Sequence, residues 1–478
     1  MDVAIFLLYP RMRPHFETDL ELAQRHLAGG DSVTLVTCDG ILSGCDSNPD
    51  HERAGCLKCI GRRKSGVGLI VGDVDEVELR DWRTAASADV PTSFDSIAAL
   101  KELRYEGFDW GDAVASSLIS RLRDPWPDLN RHGELVQRLL RGAQEVYLAS
   151  RAFLAQRRPG RVYVFNGRMA SARAVLRACQ AESIDCCIHE RGRDRRHYAL
   201  YENHLPQEIE AVAERIERCW ESSRDAEPQR IEAARRWYLR RAAGEETNWR
   251  SFTAGQCAHK TPADWRDGGR NLVLFTTSED ECAAVGGSWH AGPYADQISG
   301  LEMIAADWNR GPDRGQLFIR VHPNSAGLPE SYLQRLERLA GRHVTVIGPR
   351  DDVDSYFLIR AADTVLAFNS TAGIEAVFWG RPSILIGNAF YRRLGSTYQP
   401  ASHADLLRLM TTPLEPLSPH AALQYGYYWA TLGEPYRYYD VDDLFRGRFQ
   451  GRRVRPGWWD RLQIEWERRV GRWLRRAA

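Results

Sequence analysis

Residues 344–387 read VTVIGPRDDVDSYFLIRAADTVLAFNSTAGIEAVFWGRPSILIG. Val344–Ile347 is a short β-branched run and predicts a strand. Asp351–Ala361 begins acidic and carries apolar residues at helical spacing, so a helix follows. Thr364–Phe368 is a second apolar run. Asn369-Ser370-Thr371 then leads into a helix over Ala372–Trp379. Gly380-Arg381-Pro382 stops that helix before the strand Ser383–Ile386. Short apolar strands alternating with helices predict a parallel sheet covered by helices.

The chemistry lies where strand gives way to helix. Asn369, Ser370 and Thr371 bring hydroxyls, an amide and unpaired backbone N–H groups to one point, which suits an anion such as phosphate. Open sheets of this kind bind ligands beyond the carboxyl ends of their strands. Glu375 falls about one turn later on the same helix face, where it can accept from a sugar hydroxyl. The plainer reading is that Ser370 and Thr371 only cap the helix. A second cluster shifts the balance. The apolar run Gln316–Val321 ends in Arg320-Val321-His322-Pro323-Asn324, in which Arg320 and His322 share one side of an extended chain. Two such clusters in one αβ array favour phosphate recognition.

Taken together, the motifs R-x-H-P-N at 320–324, N-S-T-x-G-x-E-A at 369–376 and G-R-P at 380–382 resemble bacterial capsule and surface-polysaccharide glycosyltransferases. The acidic Asp351–Tyr356 stands where a strict D-x-x-S-Y is absent. The HP and Ser/Thr pairs are also similar to the nucleotide-phosphate motifs of sialyltransferases and Kdo transferases. The resemblance is specific over about residues 271–392. It implies a GT-B arrangement, two Rossmann-like domains facing a cleft. It also implies that His322, Ser370 and Thr371 touch the donor phosphate and Glu375 the nucleotide or sugar. Arg320 and Asn324 join that donor set, as does Ser278 in the hydroxyl-rich Thr276–Glu281 loop.

The chain has 478 residues, enough for two or three domains. Lys+Arg and Asp+Glu are equal at 64 each, so no global field argues for nucleic acid. Val3–Leu8 does not read as a secretory signal and no apolar run reaches membrane-spanning length, so the expected location is the cytoplasm, at most at the inner face of the membrane. Ten Cys in such a compartment are not expected to form structural disulfides.

Val3–Tyr9, Phe16–Ala28 and Ser32–Thr37 read as one βαβ unit, with Arg11 and His15 on the loop between. Cys38, Cys45, Cys56 and Cys59 follow among turn formers, the last two as C-x-x-C. This grouping predicts a structural metal, zinc or an iron–sulfur cluster, with the choice left open. Arg62-Arg63-Lys64 reads as a solvated basic turn, and 71–96 as a linker with a weak strand. Strands at Arg161–Phe165 and Cys186–His189 end in polar loops. Asn166, Arg168 and Arg191, with Arg11 and His15, are the candidates for acceptor binding. Glu208–Gly244 is a long charged helical stretch expected to pack on the N-terminal domain.

From Arg446 to Arg476 there are eleven Arg against three acids. Trp459, Leu462, Trp466, Val470 and Trp473 share a helix face. That face is expected to pack on the N-terminal domain, leaving the outer Arg to an anionic lipid surface.

The expected domains are therefore 1–265 for the acceptor with a Cys-rich insertion at 38–64, 266–440 for the nucleotide-sugar, and a basic amphipathic helix at 441–478. The expected activity is transfer of a sugar from a nucleotide-sugar donor to a capsule or lipopolysaccharide acceptor, free or lipid-linked, without a divalent metal in the transfer step. His322 would aid departure of the leaving phosphate, and Asp39 or Glu190 would be the general base. The alternatives are a polyol-phosphate transferase of the teichoic-acid type, a non-catalytic cluster-bearing polysaccharide scaffold, and an epimerase of sugar nucleotides.

Overall fold

The computed structural model describes residues 1–82, 90–312 and 314–477, with side chains described to residue 470. Residues 83–89 of the expected linker and the side chain of Trp473 lie outside what is described. The chain divides into two units. The first comprises 1–122, 126–206 and 432–478; the second comprises 123–125 and 207–431. This division departs from the expected boundary at 265/266. It also returns the chain's last 47 residues to the first unit.

The first unit is built on β1 (Asp2–Leu7), β2 (Ser32–Thr37), β3 (Asp75–Glu78), β4 (Arg161–Phe165), β5 (Cys186–Arg191) and β6 (His197–Glu202), in the order β6-β5-β4-β1-β2-β3. All neighbours are parallel except β5 and β6. The Val3–Leu7 run is buried throughout, as the centre of a parallel sheet requires. The helix His15–Ala28 covers one face with Phe16, Leu20 and Ala23, which meet Ile5, Leu7 and Leu35 in one core.

The second unit holds β7 (Asn271–Phe275), β8 (Gln316–Arg320), β9 (Val344–Ile347), β10 (Thr364–Ala367) and β11 (Ser383–Leu385). They form an all-parallel sheet in the order β11-β10-β7-β8-β9. Leu272 and Leu274 of β7 enter one core, whereas Val273 and Phe275 enter the other. The period-2 alternation thus feeds two covered faces. This is the α/β architecture with parallel sheets that the 344–387 stretch predicts. After the second unit, β12 (Glu434–Pro435) pairs antiparallel with β6, and β13 (Tyr439–Val441) pairs with β14 (Gly447–Phe449).

Several expectations are corrected. Cys56 and Cys59 do not sit on a loop, because Arg53–Val67 is a helix. Arg62 and Arg63 at its far end are buried, not solvated. Arg62 donates to the Pro10 carbonyl and pairs with Glu17, so two opposite charges meet inside the unit. The 208–244 stretch is two helices, Ile209–Glu221 and Glu227–Ala242, and both belong to the second unit. There Trp220 meets Tyr427 edge-on, and Tyr238 stacks on Phe378 at 4.1 Å. The final helix spans Trp458–Ala477, but its Trp face is not packed. Trp459 is 65% and Trp466 62% exposed, while Ile464 on another side is buried. The reason is local: the helix packs against Arg53–Val67 through Gly61, where an added Cβ would stand 2.9 Å from the Asp460 carboxylate.

Candidate functional site

The two motif clusters meet in the second unit. A cavity of about 270 Å³ opens at the carboxyl ends of β7, β8 and β10, lined by Arg320, His322, Ser370, Thr371 and Glu375. The parallel register explains the meeting. Phe275 stands opposite Arg320 on one side and Ala367 on the other, so the residues after each strand emerge side by side.

His322 is held as a neutral donor. The backbone N–H of Asn324 donates to its Nδ1 at 3.2 Å, which leaves the ring proton on Nε2. Its backbone N–H donates to Thr276 Oγ1 at 3.0 Å. Burial, and then the charges of Arg320, Arg123 and Arg241, push its pKa down to about 4. The ring of Phe252 meets it edge-on at 4.9 Å.

Arg320 is placed differently from the direct phosphate contact expected of it. Its guanidinium donates to Ser355 Oγ at 3.3 Å, the Gly348 carbonyl at 2.6 Å and the Asp351 carbonyl at 3.0 Å. It fastens the loop after β9, and carbonyls and a hydroxyl leave its charge formally uncancelled. Its field, more than its hydrogen bonds, reaches the cavity.

Glu375 is likewise occupied. Oε1 accepts from Thr371 Oγ1 at 2.8 Å and from Arg241 Nη2 at 2.9 Å, and Oε2 accepts from the Tyr356 hydroxyl at 2.6 Å. Both oxygens are engaged, so the carboxylate organises the wall. Burial works against the Arg241 charge, but Glu375 and Tyr356 outweigh it and raise its pKa. The Arg241 guanidinium also lies 4.8 Å from the centre of the Trp237 ring. Arg241 is the residue that sequence reading missed. It sits at the end of a helix whose many other Arg carry no distinguishing signal. The Ser370 Oγ accepts from the Ala372 N–H at 3.3 Å. The helix Ala372–Phe378 is short, so side chains contribute more here than its dipole. Residues 247–253, with Trp249 and Phe252, complete the wall.

Two expected donor residues stand apart. Ser278 is buried and donates to Asp280 Oδ1 at 2.6 Å. Asn324 accepts from Arg123 at 3.3 Å and positions His322 through its backbone. Neither lines the cavity.

In the first unit, the carboxyl ends of β4 and β5 gather a different set. Glu190 accepts from Asn166 Nδ2 at 2.9 Å, and burial raises its pKa. His189 Nε2 meets Asp19 Oδ1 at 2.7 Å in the interior. His15 stacks on Phe165 at 3.7 Å, with its pKa lowered well below normal by burial. Asn166 takes φ +69° and accepts from the Met169 N–H at 3.2 Å, turning the chain into the next helix. Asp39 is elsewhere, bound to Arg80 and 3.8 Å from Arg63. The remaining acceptor candidates carry structural bonds: Arg11 to the Ser47 carbonyl, Arg168 to Ser116 and Ser120, and Arg191 to the Leu444 carbonyl.

A larger cavity of about 650 Å³ in the same unit was not foreseen. Arg13, Lys58, Arg455, Arg461 and Arg468 line it, as does Glu465. Burial and then the nearby Arg11, Arg468, Arg13 and Arg62 lower the Lys58 pKa, as expected where cations crowd. The signal was in the sequence as three separate basic stretches. Only folding joins 13, 58 and 446–468.

The four cysteines are free thiols. Among the described residues, no three His, Cys, Asp or Glu side chains come together to hold one ion. The expected metal centre is therefore not met by a single-ion site.

Residues 271–430 match the family model described as capsule polysaccharide biosynthesis protein. The capsule polysaccharide export protein KpsS of Escherichia coli is 33% identical over 104 residues. That stretch is 21% of this chain, and it spans 26% of the relative's length. Among solved structures, the chain is similar to two of KpsC from Thermosulfurimonas dismutans. The β-Kdo 2,4 transferase is 16% identical with a TM-score of 0.37, covering 56% of this chain and 79% of that one. The β-Kdo 2,7 transferase is 17% identical with a TM-score of 0.35, covering 67% and 87%. At these TM-scores the structural likenesses bear on neither mechanism nor ligand. The sequence match shows that the motif-bearing part of the chain resembles capsule polysaccharide biosynthesis proteins.

Proposed function

We propose that the second unit binds the phosphates of a nucleotide-sugar and that the chain is a glycosyltransferase of capsule-type polysaccharide synthesis. The observation that carries this is the convergence on one cavity of His322 and Ser370, which lie within the segment that matches the capsule family, with Arg241, which precedes that segment. Transfer breaks the bond between the anomeric carbon and the donor phosphate. Charge then develops on the departing phosphate oxygen. The His322 Nε2–H, the Ser370 hydroxyl and the Arg241 cation would stabilise that charge, aided by the field of buried Arg320. This reading uses no divalent ion in the transfer step.

The acceptor hydroxyl must lose a proton. Glu190 is our choice of base, because burial raises its affinity for a proton and Asn166 orients it. Asp39 is less suited, being held by Arg80. The cations of the 650 Å³ cavity favour an anionic acceptor, such as an acidic glycan or a lipid-linked glycan with a phosphate. The exposed Trp459 and Trp466 on an Arg-rich helix favour contact with an anionic membrane surface. No helix among the described residues is long and apolar enough to cross a membrane. We infer that the work is done in the cytoplasm, where nucleotide-sugars are made.

The test is isothermal titration of UDP, GDP, CMP and dTDP compounds into wild type, His322→Ala and Ser370→Ala. Saturable binding of one nucleotide class, weakened about tenfold or more in both variants, is expected, since a hydrogen bond to a charged group contributes about 1.5–3 kcal/mol. Binding of none by the folded wild type would overturn the proposal.

A further inference from the structure

We infer that the 650 Å³ cavity of the first unit is a binding site for a diphosphate ester. The binding itself stands apart from the activity proposed above; only the ligand's role as acceptor rests on that reading. Three places in the chain build the site. The loop after β1 brings Arg13, the helix Arg53–Val67 brings Lys58, and residues 445–468 bring most of the rest. The final helix is fixed there by Glu467, which meets Arg53 Nε at 3.1 Å, and by buried Ile464. At about 100° per residue, Arg461, Ile464, Glu465 and Arg468 share the helix face that lines the cavity.

The charge balance carries this. Seven cations line the cavity against two acids, Glu17 and Glu465. Both acids are already claimed, Glu17 by Arg62 and Glu465 by Arg469 at 3.4 Å. Of the cations, Arg446 and Arg453 reach Asp443 and Asp442 at 3.9 and 3.2 Å. Among the described residues, Arg13, Lys58, Arg455, Arg461 and Arg468 have no carboxylate within ion-pairing distance. Crowding five such cations around one space destabilises the fold by repulsion, and an anion held among them offsets that. Glu17 Oε2 is buried without a hydrogen-bond partner, which suits a ligand hydroxyl beside the anion.

A diphosphate fits this better than other anions do. A single phosphate monoester brings about 1.5–2 negative charges, and a carboxylate brings one. Two linked phosphates concentrate more charge and offer oxygens to several guanidiniums at once, each able to bind as a bidentate fork. The volume lies inside the range of about 300–1,000 Å³ for small-molecule sites. Val454, Pro456 and Ile464 add apolar wall for the rest of the ester. The cavity also adjoins the proposed base. Arg191, next to Glu190, donates to the Arg13 carbonyl at 3.4 Å and to the Leu444 carbonyl at 3.0 Å. Its guanidinium lies 5.3 Å from the centre of the Phe445 ring, and Arg13 and Phe445 both line the cavity. The ester is either lipid-linked or soluble. The exposed Trp459 and Trp466, on another face of the same helix, are the reason to test both.

The test titrates pyrophosphate into the full chain at about 0.15 M salt, where diffuse surface attraction is screened. Wild type is compared with Arg13→Gln/Arg468→Gln, with Arg448→Gln as an exposed control outside the cavity, and with His322→Ala/Ser370→Ala. Saturable binding is expected in all but the first variant, where it weakens about tenfold or more. Citrate, with three spread carboxylates, should bind wild type about tenfold more weakly than pyrophosphate. If Arg13→Gln/Arg468→Gln does not fold, Arg461→Gln/Arg468→Gln, both exposed, takes its place. Flotation with phosphatidylcholine vesicles carrying a polyisoprenyl diphosphate separates the sources. Capture reversed by free pyrophosphate marks a lipid-linked ester, and pyrophosphate binding without capture marks a soluble one. Loss of binding in the His322/Ser370 variant instead would move the site to the second unit, overturning this inference and sparing the nucleotide reading. Pyrophosphate binding that needs Arg13 and Arg468, in a chain that binds no nucleotide, would do the reverse. No pyrophosphate binding by folded wild type, equal binding by the cavity variant, or equal binding of citrate would also overturn the inference.

Discussion

The Arg241 guanidinium donates to the Glu375 carboxylate at 2.9 Å, although 134 positions separate the two residues. This pair joins a helix that precedes β7 to the helix that follows β10. It also holds a cation at the edge of the cavity that His322 and Ser370 line. Because Thr371 and Tyr356 donate to the same carboxylate, the four residues form one network in which both Glu375 oxygens are engaged.

A double-mutant cycle on Arg241→Met and Glu375→Gln should therefore give a coupling energy in stability of about 0.5–3 kcal/mol. Chemical denaturation of the four proteins measures it. Additive effects would mean that the pair is solvated and independent.

His322 titrates far below its ordinary range, so the linkage has a definite sign. The unfolded ring binds a proton near pH 6.5, and the folded ring only near pH 4. The contribution is present in full above pH 6.5 and is lost as pH falls from there to about 4. His322→Gln should flatten the stability profile in that window. NMR should find the wild-type ring neutral, with the proton on Nε2, at pH 6.

Glu190→Gln should lower the transfer rate about 10²–10⁴-fold, the range for losing a general base. Nucleotide affinity, which the proposal assigns to the second unit, should stay unchanged. Equal activity in the variant would move the base elsewhere.

Gly142 allows the long helix Gly133–Arg157 to touch the Cys loop. An added Cβ would lie 2.2 Å from the Gly44 carbonyl oxygen, and the neighbour is backbone. Gly142→Ala should cost about 1–3 kcal/mol by overpacking and lower the Tm. An unchanged Tm would show that the loop yields freely.

Trp459→Ser/Trp466→Ser should reduce partition onto anionic vesicles roughly tenfold, equivalent to about 1.4 kcal/mol, with little effect on stability because both rings are exposed. Equal partition of variant and wild type would remove the membrane reading of this helix.

Much of the second unit was legible from sequence. Asn271–Phe275 and Val344–Ile347 fall as strands where their apolar runs begin and end. Buried parallel strands read as continuous β-branched and aliphatic runs, and the residues after them cannot avoid the sheet's carboxyl edge. Charge was a poorer guide at Arg62-Arg63-Lys64, because basic runs usually face water. Here Arg62 found Glu17 and a carbonyl inside the unit, so a charge pattern taken as surface became interior. The C-x-x-C was likewise read as loop because Gly, Asn and Pro precede it, while the helix that carries it starts only at Arg53.

By itself, the sequence determined the α/β class, the strand–helix order around 344–387 and which polar residue types, His322 and Ser370 among them, stand at the strand ends. Those properties follow from local periodicity and from residue types at strand ends. Only the tertiary structure decided that Arg320 is spent on a neighbouring loop, that Glu375 is engaged by Arg241, Thr371 and Tyr356, and that Arg13, Lys58 and Arg468 share one cavity. Hydrogen-bond partners and charge compensation are long-range. A residue's type states what it can bind, and the fold decides which of its donors and acceptors remain free to do so.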